Sequence, residues 1–179
     1  MTLPAVLFIA AAVALAAASA FILTVRRDPA TFRRIEALPR ERISGTALTV
    51  IALLWFVPNI RPIFMPDSPF QSFILPLILL SIVLAAIFLN YLFARAAAAI
   101  LILGAHTVLK MGYPAQLPGY PVLAALVLIA GIIGIVLSAK PYWLRDWFRL
   151  SFRNPAMRWG SAAYFLILCA MSCYCAVEA

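Results

Sequence analysis

The chain has 179 residues, of which 66% are hydrophobic and only 11% charged, and its formal net charge is +8. A soluble domain is roughly 45–50% apolar and about 25% charged, and one core of this size cannot hide so much apolar surface from water. The composition therefore excludes an ordinary soluble globule, and the surplus of Lys and Arg reads first as loops kept in the cytoplasm rather than as a nucleic-acid grip.

The first apolar run, residues 3–25, contains no charge and is followed by Arg26 and Arg27. A signal peptide carries its positive charges before the apolar run, so this order predicts a retained helix with its N-terminus outside. The loop Arg26–Ile43 then holds six arginines, Arg26, Arg27, Arg33, Arg34, Arg40 and Arg42, partly offset by Asp28, Glu36 and Glu41. Within it, Asp28 can cap, Pro29 can start and Pro39 can stop a short helix. A second span is expected over residues 44–60.

From Phe70 to Leu109 runs a stretch of 40 residues whose single charge is Arg95. As one helix it would be ~60 Å long, against ~30 Å of hydrocarbon to cross. It must fold back, and "LNYLFAR" (Leu89 to Arg95) is its polar break. That predicts spans over residues 70–90 and 95–110, the first kinked at Pro76. A fifth span is expected over residues 121–139 and a sixth over 160–177.

Charge bias tests the count. Of the 14 basic residues, all but Arg61 and Lys110 fall on one side of a six-span arrangement, as the positive-inside rule requires. A single crossing by the 40-residue stretch would put the two large Arg loops in opposite compartments. The expected fold is thus an all-α, six-helix membrane bundle forming one polytopic unit over residues 1–179, with both ends outside. Its Arg-rich, Ala-rich character points to the plasma membrane of a bacterium.

Between spans five and six lies "KPYWLRDWFRLSFRNPAMRWG" (Lys140 to Gly160). On a helix, Arg145, Arg149 and Arg153 form one stripe four residues apart, while Trp143, Leu144, Trp147, Phe148, Leu150 and Phe152 cover much of the remaining arc. Pro141 suits a first turn and Asn154-Pro155 a stop. This pattern predicts a basic amphipathic helix lying in the membrane plane, its Arg stripe meeting lipid phosphates or a partner's acidic face. Nucleic acid is not expected, because neither an aromatic sheet nor a groove-entering helix is visible.

No Asp or Glu falls inside a span, which speaks against an ion-coupled pump or a carboxylate-dependent enzyme. His106 is the clear ionisable exception, one turn before Lys110 on the same face; the pair is a candidate ligand site or proton relay. Cys169, Cys173 and Cys175 form C-x3-C-x-C, which is not a common zinc spacing; they read as small apolar fillers before they read as a metal or redox site. Ala130, Gly134 and Ser138, with Gly131 beside them, make a small-xxx-small stripe suited to close helix packing. No phosphate-binding, nucleophile-elbow or zincin motif occurs. The span "RAAAAILILGAHTVLKMG" resembles the first helix of DoxX-type small membrane proteins. The likeness covers about a tenth of the chain, and the acidic residue usual in that family's next helix is absent, so no function follows from it.

The expected role is a non-enzymatic accessory or scaffold subunit. Its expected partners are membrane lipid and, beyond that, another membrane protein or a second copy of itself, with no cofactor. A small-molecule or lipid transporter with a site near His106 is the alternative, and an intramembrane enzyme using His106 or the cysteines the third reading.

Overall fold

The computed structural model of the chain describes residues 3–24, 29–60, 70–115 and 119–178. Its regular elements are all helical, with no strand among the described residues. Chain order gives α1 (Leu3–Thr24), α2 (Pro29–Ala37) continuing into a 3-10 turn at Leu38–Arg40, then α3 (Arg42–Ile60) and α4 (Phe70–Phe88). These are followed by α5 (Leu92–Ala115), α6 (Tyr120–Ala139), α7 (Tyr142–Arg153) and α8 (Pro155–Glu178).

Among the described residues, four stretches are long and apolar enough to cross a membrane: Arg42–Asn59, Leu92–Tyr113, Tyr120–Ala139 and Pro155–Glu178. Two further apolar stretches, Phe8–Thr24 in α1 and Phe73–Phe88 in α4, are shorter. Large apolar side chains cover the outside; Leu77, Val83, Ile87 and Ile135 are all more than half exposed. Such a surface would drive aggregation in water but matches a hydrocarbon solvent. Helices of this length and surface mark the chain as a membrane protein.

Helix pairing can be read from the contacts. Near the start of α8, Arg158 donates to the carbonyl of Leu23, near the end of α1, so α1 and α8 run antiparallel. One of the last, otherwise unbonded carbonyls of α1 thereby gains a cationic donor, where the helix dipole also favours positive charge. Gly134 of α6 lies against Ala98, Leu101 and Ile102 of α5, and the Tyr120 hydroxyl donates to the Leu109 carbonyl at 2.8 Å, so α5 and α6 are antiparallel too. Gly45, early in α3, abuts Leu92 and Phe93 at the start of α5, which makes those two helices parallel. The chief packed pairs are thus α1 with α8, α5 with α6, and α3 with α5; α4 leans mainly on α3. One buried cluster joins Phe8, Ala105, Leu123, Val127, Leu168 and Cys175; a second joins Ala94, Ala98, Leu137 and Leu144.

The 40-residue apolar stretch breaks at residues 89–91. There Tyr91 takes φ 57, a left-handed conformation rarely adopted outside Gly, Asn and Asp. Its ring is held by Arg40, whose guanidinium carbon lies 5.4 Å from the ring centroid and whose Nη2 donates to the hydroxyl at 3.0 Å. α5 starts at Leu92, ahead of the expected 95. α8 starts at Pro155, well ahead of the expected 160, because Asn154 is both stop and start. Its backbone N–H closes α7 on the Leu150 carbonyl at 2.8 Å, while its side-chain Oδ1 accepts from Ala156 N–H at 2.9 Å. An Asn cap followed by Pro in the first turn is a strong helix start. Pro76, where a kink is expected, lies inside α4, which runs on through it. Arg26, Arg27, Asp28 and Arg61 lie outside the described residues.

Candidate functional site

Apart from Lys110, the described basic residues gather at one end of the bundle, where α2, the 3-10 turn, the α4–α5 turn and α7 meet. Two contacts join α2 to α7. Arg149 Nε donates to Glu36 Oε1 at 2.7 Å, its Nη2 bonds the same oxygen, and Phe32 packs edge-on against Phe152 with centroids 5.1 Å apart. Leu144 and Trp147 anchor α7 downwards. Leu144 enters the cluster of Ala94, Ala98 and Leu137, and Trp147 Nε1 donates to Ser161 Oγ at 3.3 Å.

This arrangement divides the Arg stripe of α7. Arg149 is spent on Glu36. Arg145 is half-buried, with Nη2 3.5 Å from Asp146 Oδ1 and a buried Nε that has no hydrogen-bond partner among the described residues. Arg153 alone of the three is exposed and without a side-chain partner among the described residues. One arginine of the three, Arg149, thus joins two helices of the chain, a partner the spacing could not reveal because Glu36 lies 113 residues away. Exposed guanidiniums without a side-chain partner among the described residues come from other elements as well: Arg33 on α2, Arg42 on α3 and Arg95 on α5. Lys140 sits over the Trp143 ring, 5.2 Å from its centroid.

Under α7 lies a pocket of about 310 Å³ ringed by Phe21, Phe93, Trp147, Phe148, Phe152 and Phe165. A larger groove of about 690 Å³ is lined by α3, α4 and α5. Its walls are Leu, Ile, Phe and Ala, with Thr49, Ser81 and Arg95 as the polar members. From hydropathy alone, Arg95 marks only a turn. Its position on the groove depends on the unequal packing of α4, which leans on α3 and leaves α5 partly uncovered.

The other candidates lie apart from both hollows. His106 and Lys110 are exposed on α5, and neither lines the pocket or the groove. Cys175 is fully buried, Cys169 half-buried and Cys173 exposed on α8, all as free thiols. No three His, Cys, Asp or Glu side chains gather as a metal site among the described residues. In the small-residue stripe, Gly134 is buried against α5, and a Cβ on Gly131 would sit 3.2 Å from Ala105 Cβ. Ala130 is half-buried and Ser138 exposed. Two further close approaches are Gly45 against α5, and Gly112, where a Cβ would overlap the Tyr120 ring.

Comparison with known proteins gives no match: no family model fits the chain, and no curated protein or solved structure is similar to it.

Proposed function

We propose that the chain is a six-span, multi-pass protein of a bacterial plasma membrane, with α1, α3, α4, α5, α6 and α8 crossing the bilayer. In this reading both termini are outside, and α2 and α7 lie in the cytoplasmic headgroup layer. The protein works as a non-enzymatic accessory subunit whose basic end engages anionic lipid and, through it or beside it, neighbouring membrane proteins. The observation that carries this reading is the set of exposed arginines at that end, Arg33, Arg42, Arg95 and Arg153, which have no side-chain partner among the described residues. Each cation near an anionic leaflet contributes on the order of 1 kcal/mol, and a cytoplasmic Arg excess fixes orientation.

Native mass spectrometry of the protein purified in mild detergent tests the role. A phospholipid or protein partner at fixed stoichiometry is the expected result; a bound haem, metal or metabolite would overturn it. Single-cysteine accessibility in intact cells tests the topology. Substitutions at Arg33 and Arg153 should resist a membrane-impermeant thiol reagent until the membrane is opened, and labelling from outside would refute the sidedness.

A further inference from the structure

The groove between α3, α4 and α5 has the chemistry of a lipid seat. Its two hydroxyls make no demand on an occupant. Thr49 Oγ1 donates to the Gly45 carbonyl at 2.8 Å, and Ser81 Oγ to the Leu77 carbonyl at 2.7 Å, each within its own helix. A polar ligand would find no free donor along those walls, whereas hydrocarbon loses nothing there. The charged member, Arg95, stands at the end nearest the α4–α5 turn, exposed and with no side-chain partner among the described residues. Along α5 the lining runs from Leu92 and Arg95 to Leu103. From Arg95 to Leu103 is ~12 Å at 1.5 Å per residue, close to the ~15 Å depth of one leaflet of a ~30 Å hydrocarbon core. A cation at the headgroup level above a one-leaflet apolar channel is complementary to a phospholipid, and most so to one whose phosphate charge is not offset by a headgroup cation.

We propose that this groove holds one acyl chain of a cytoplasmic-leaflet anionic phospholipid, with its phosphate bonded to Arg95. The guanidinium offers a planar fork of donors that suits phosphate oxygens. This rests on the reading above for the membrane and the leaflet, and it narrows lipid contact at the basic end to one site and one cation.

The test is lipid retention in detergent, read by native mass spectrometry. Wild type, Arg95→Gln, the groove-filling Ala99→Phe and a control, Lys110→Gln, are each titrated with phosphatidylglycerol, phosphatidylcholine of the same chains, and inorganic phosphate. Lys110→Gln removes the same charge at the opposite end of the bundle. Wild type and Lys110→Gln should retain one phosphatidylglycerol, and Arg95→Gln should bind it about tenfold more weakly. Ala99→Phe should lose it with Arg95 still present. Each variant is first checked for monodispersity and helix content, and Arg95→Gln, a surface change, keeps the test decisive if Ala99→Phe misfolds. Equal retention by wild type and Arg95→Gln overturns the proposal, as does equal retention of phosphatidylcholine. Displacement of the lipid by millimolar phosphate would identify a bare phosphate site and overturn it too. Sidedness plays no part in this readout, so a failed groove leaves the topology standing, and failed cysteine mapping would change only the leaflet.

Discussion

Gly45→Ala offers a direct test of how α3 meets α5. The added Cβ would lie 2.7 Å from Phe93 N, 3.1 Å from Leu92 Cβ and 3.2 Å from the Leu92 carbonyl carbon. The closest of these is main chain and cannot rotate aside, so the two helices must separate. A gap of about 0.5–1 Å already forfeits a quarter to a half of the dispersion energy across the affected contact. Overpacking of this kind costs about 1–3 kcal/mol, and Ala returns about 0.8–1 kcal/mol through its better helix propensity. Because the closest contact is main chain, the upper part of that range, about 2–3 kcal/mol, applies, and the expected net effect is a loss of about 1–2 kcal/mol. Gly160→Ala is the matched opposite, because a Cβ there meets nothing within 4 Å. Only the propensity gain remains, so it should stabilise by about 0.5–1 kcal/mol. Tryptophan fluorescence during titration of dodecyl maltoside micelles with SDS would give both unfolding midpoints. A Gly45→Ala midpoint at or above wild type, or equal shifts in the two variants, would refute the close approach.

Three other outcomes follow from the contacts. Breaking the Glu36–Arg149 pair with Glu36→Gln and Arg149→Gln in a double-mutant cycle should give a coupling below about 1 kcal/mol, because both side chains are partly solvated. That coupling should shrink in 1 M salt, where the screening length is about 3 Å; an unchanged coupling would contradict it. Tyr120→Phe removes the donor to the Leu109 carbonyl and should cost about 1 kcal/mol in the same titration, with no loss if the hydroxyl bonds elsewhere. Under limiting N-ethylmaleimide, peptide mass spectrometry should find Cys173 modified first and Cys175 last, since Cys173 is exposed and Cys175 fully buried; the reverse order would mean that α8 is rotated.

Hydropathy runs and breakers made much of the helical pattern legible. The charge-free run over residues 3–25 corresponds to α1, and the polar break in the forty-residue stretch marks the gap between α4 and α5, because both signals are local in the chain. Asn154-Pro155 was legible as a stop but hid a start, since one Asn can close a helix with its backbone and cap the next with its side chain. The partners of the arginines were not legible. Spacing places Arg145, Arg149 and Arg153 on one face, but only the packing of α2 against α7 brings Glu36 to Arg149. Gly131 and Gly134 advertised themselves through their small neighbours. Gly45 stands four residues before Thr49, but its tightness depends on where α5 begins, which that spacing does not encode. The groove at Arg95 was hidden for a related reason: it exists where two helices fail to pack, and no residue pattern encodes a space.

The pairing of α1 with α8 has a consequence for biosynthesis. Roughly 130 residues separate the end of α1 from the start of α8, and a ribosome adding about 5–20 residues per second needs ~7–26 s to make them. Throughout that interval α1 waits without its principal neighbour, and the Leu23 carbonyl waits for Arg158. Its Ala-rich surface must meanwhile be sheltered by lipid, by the insertion machinery or by a passing helix of another protein. Pairing of α1 therefore waits on the synthesis of α8, and a chain lacking α8 would leave α3 to α6 able to pack with α1 short of its principal neighbour.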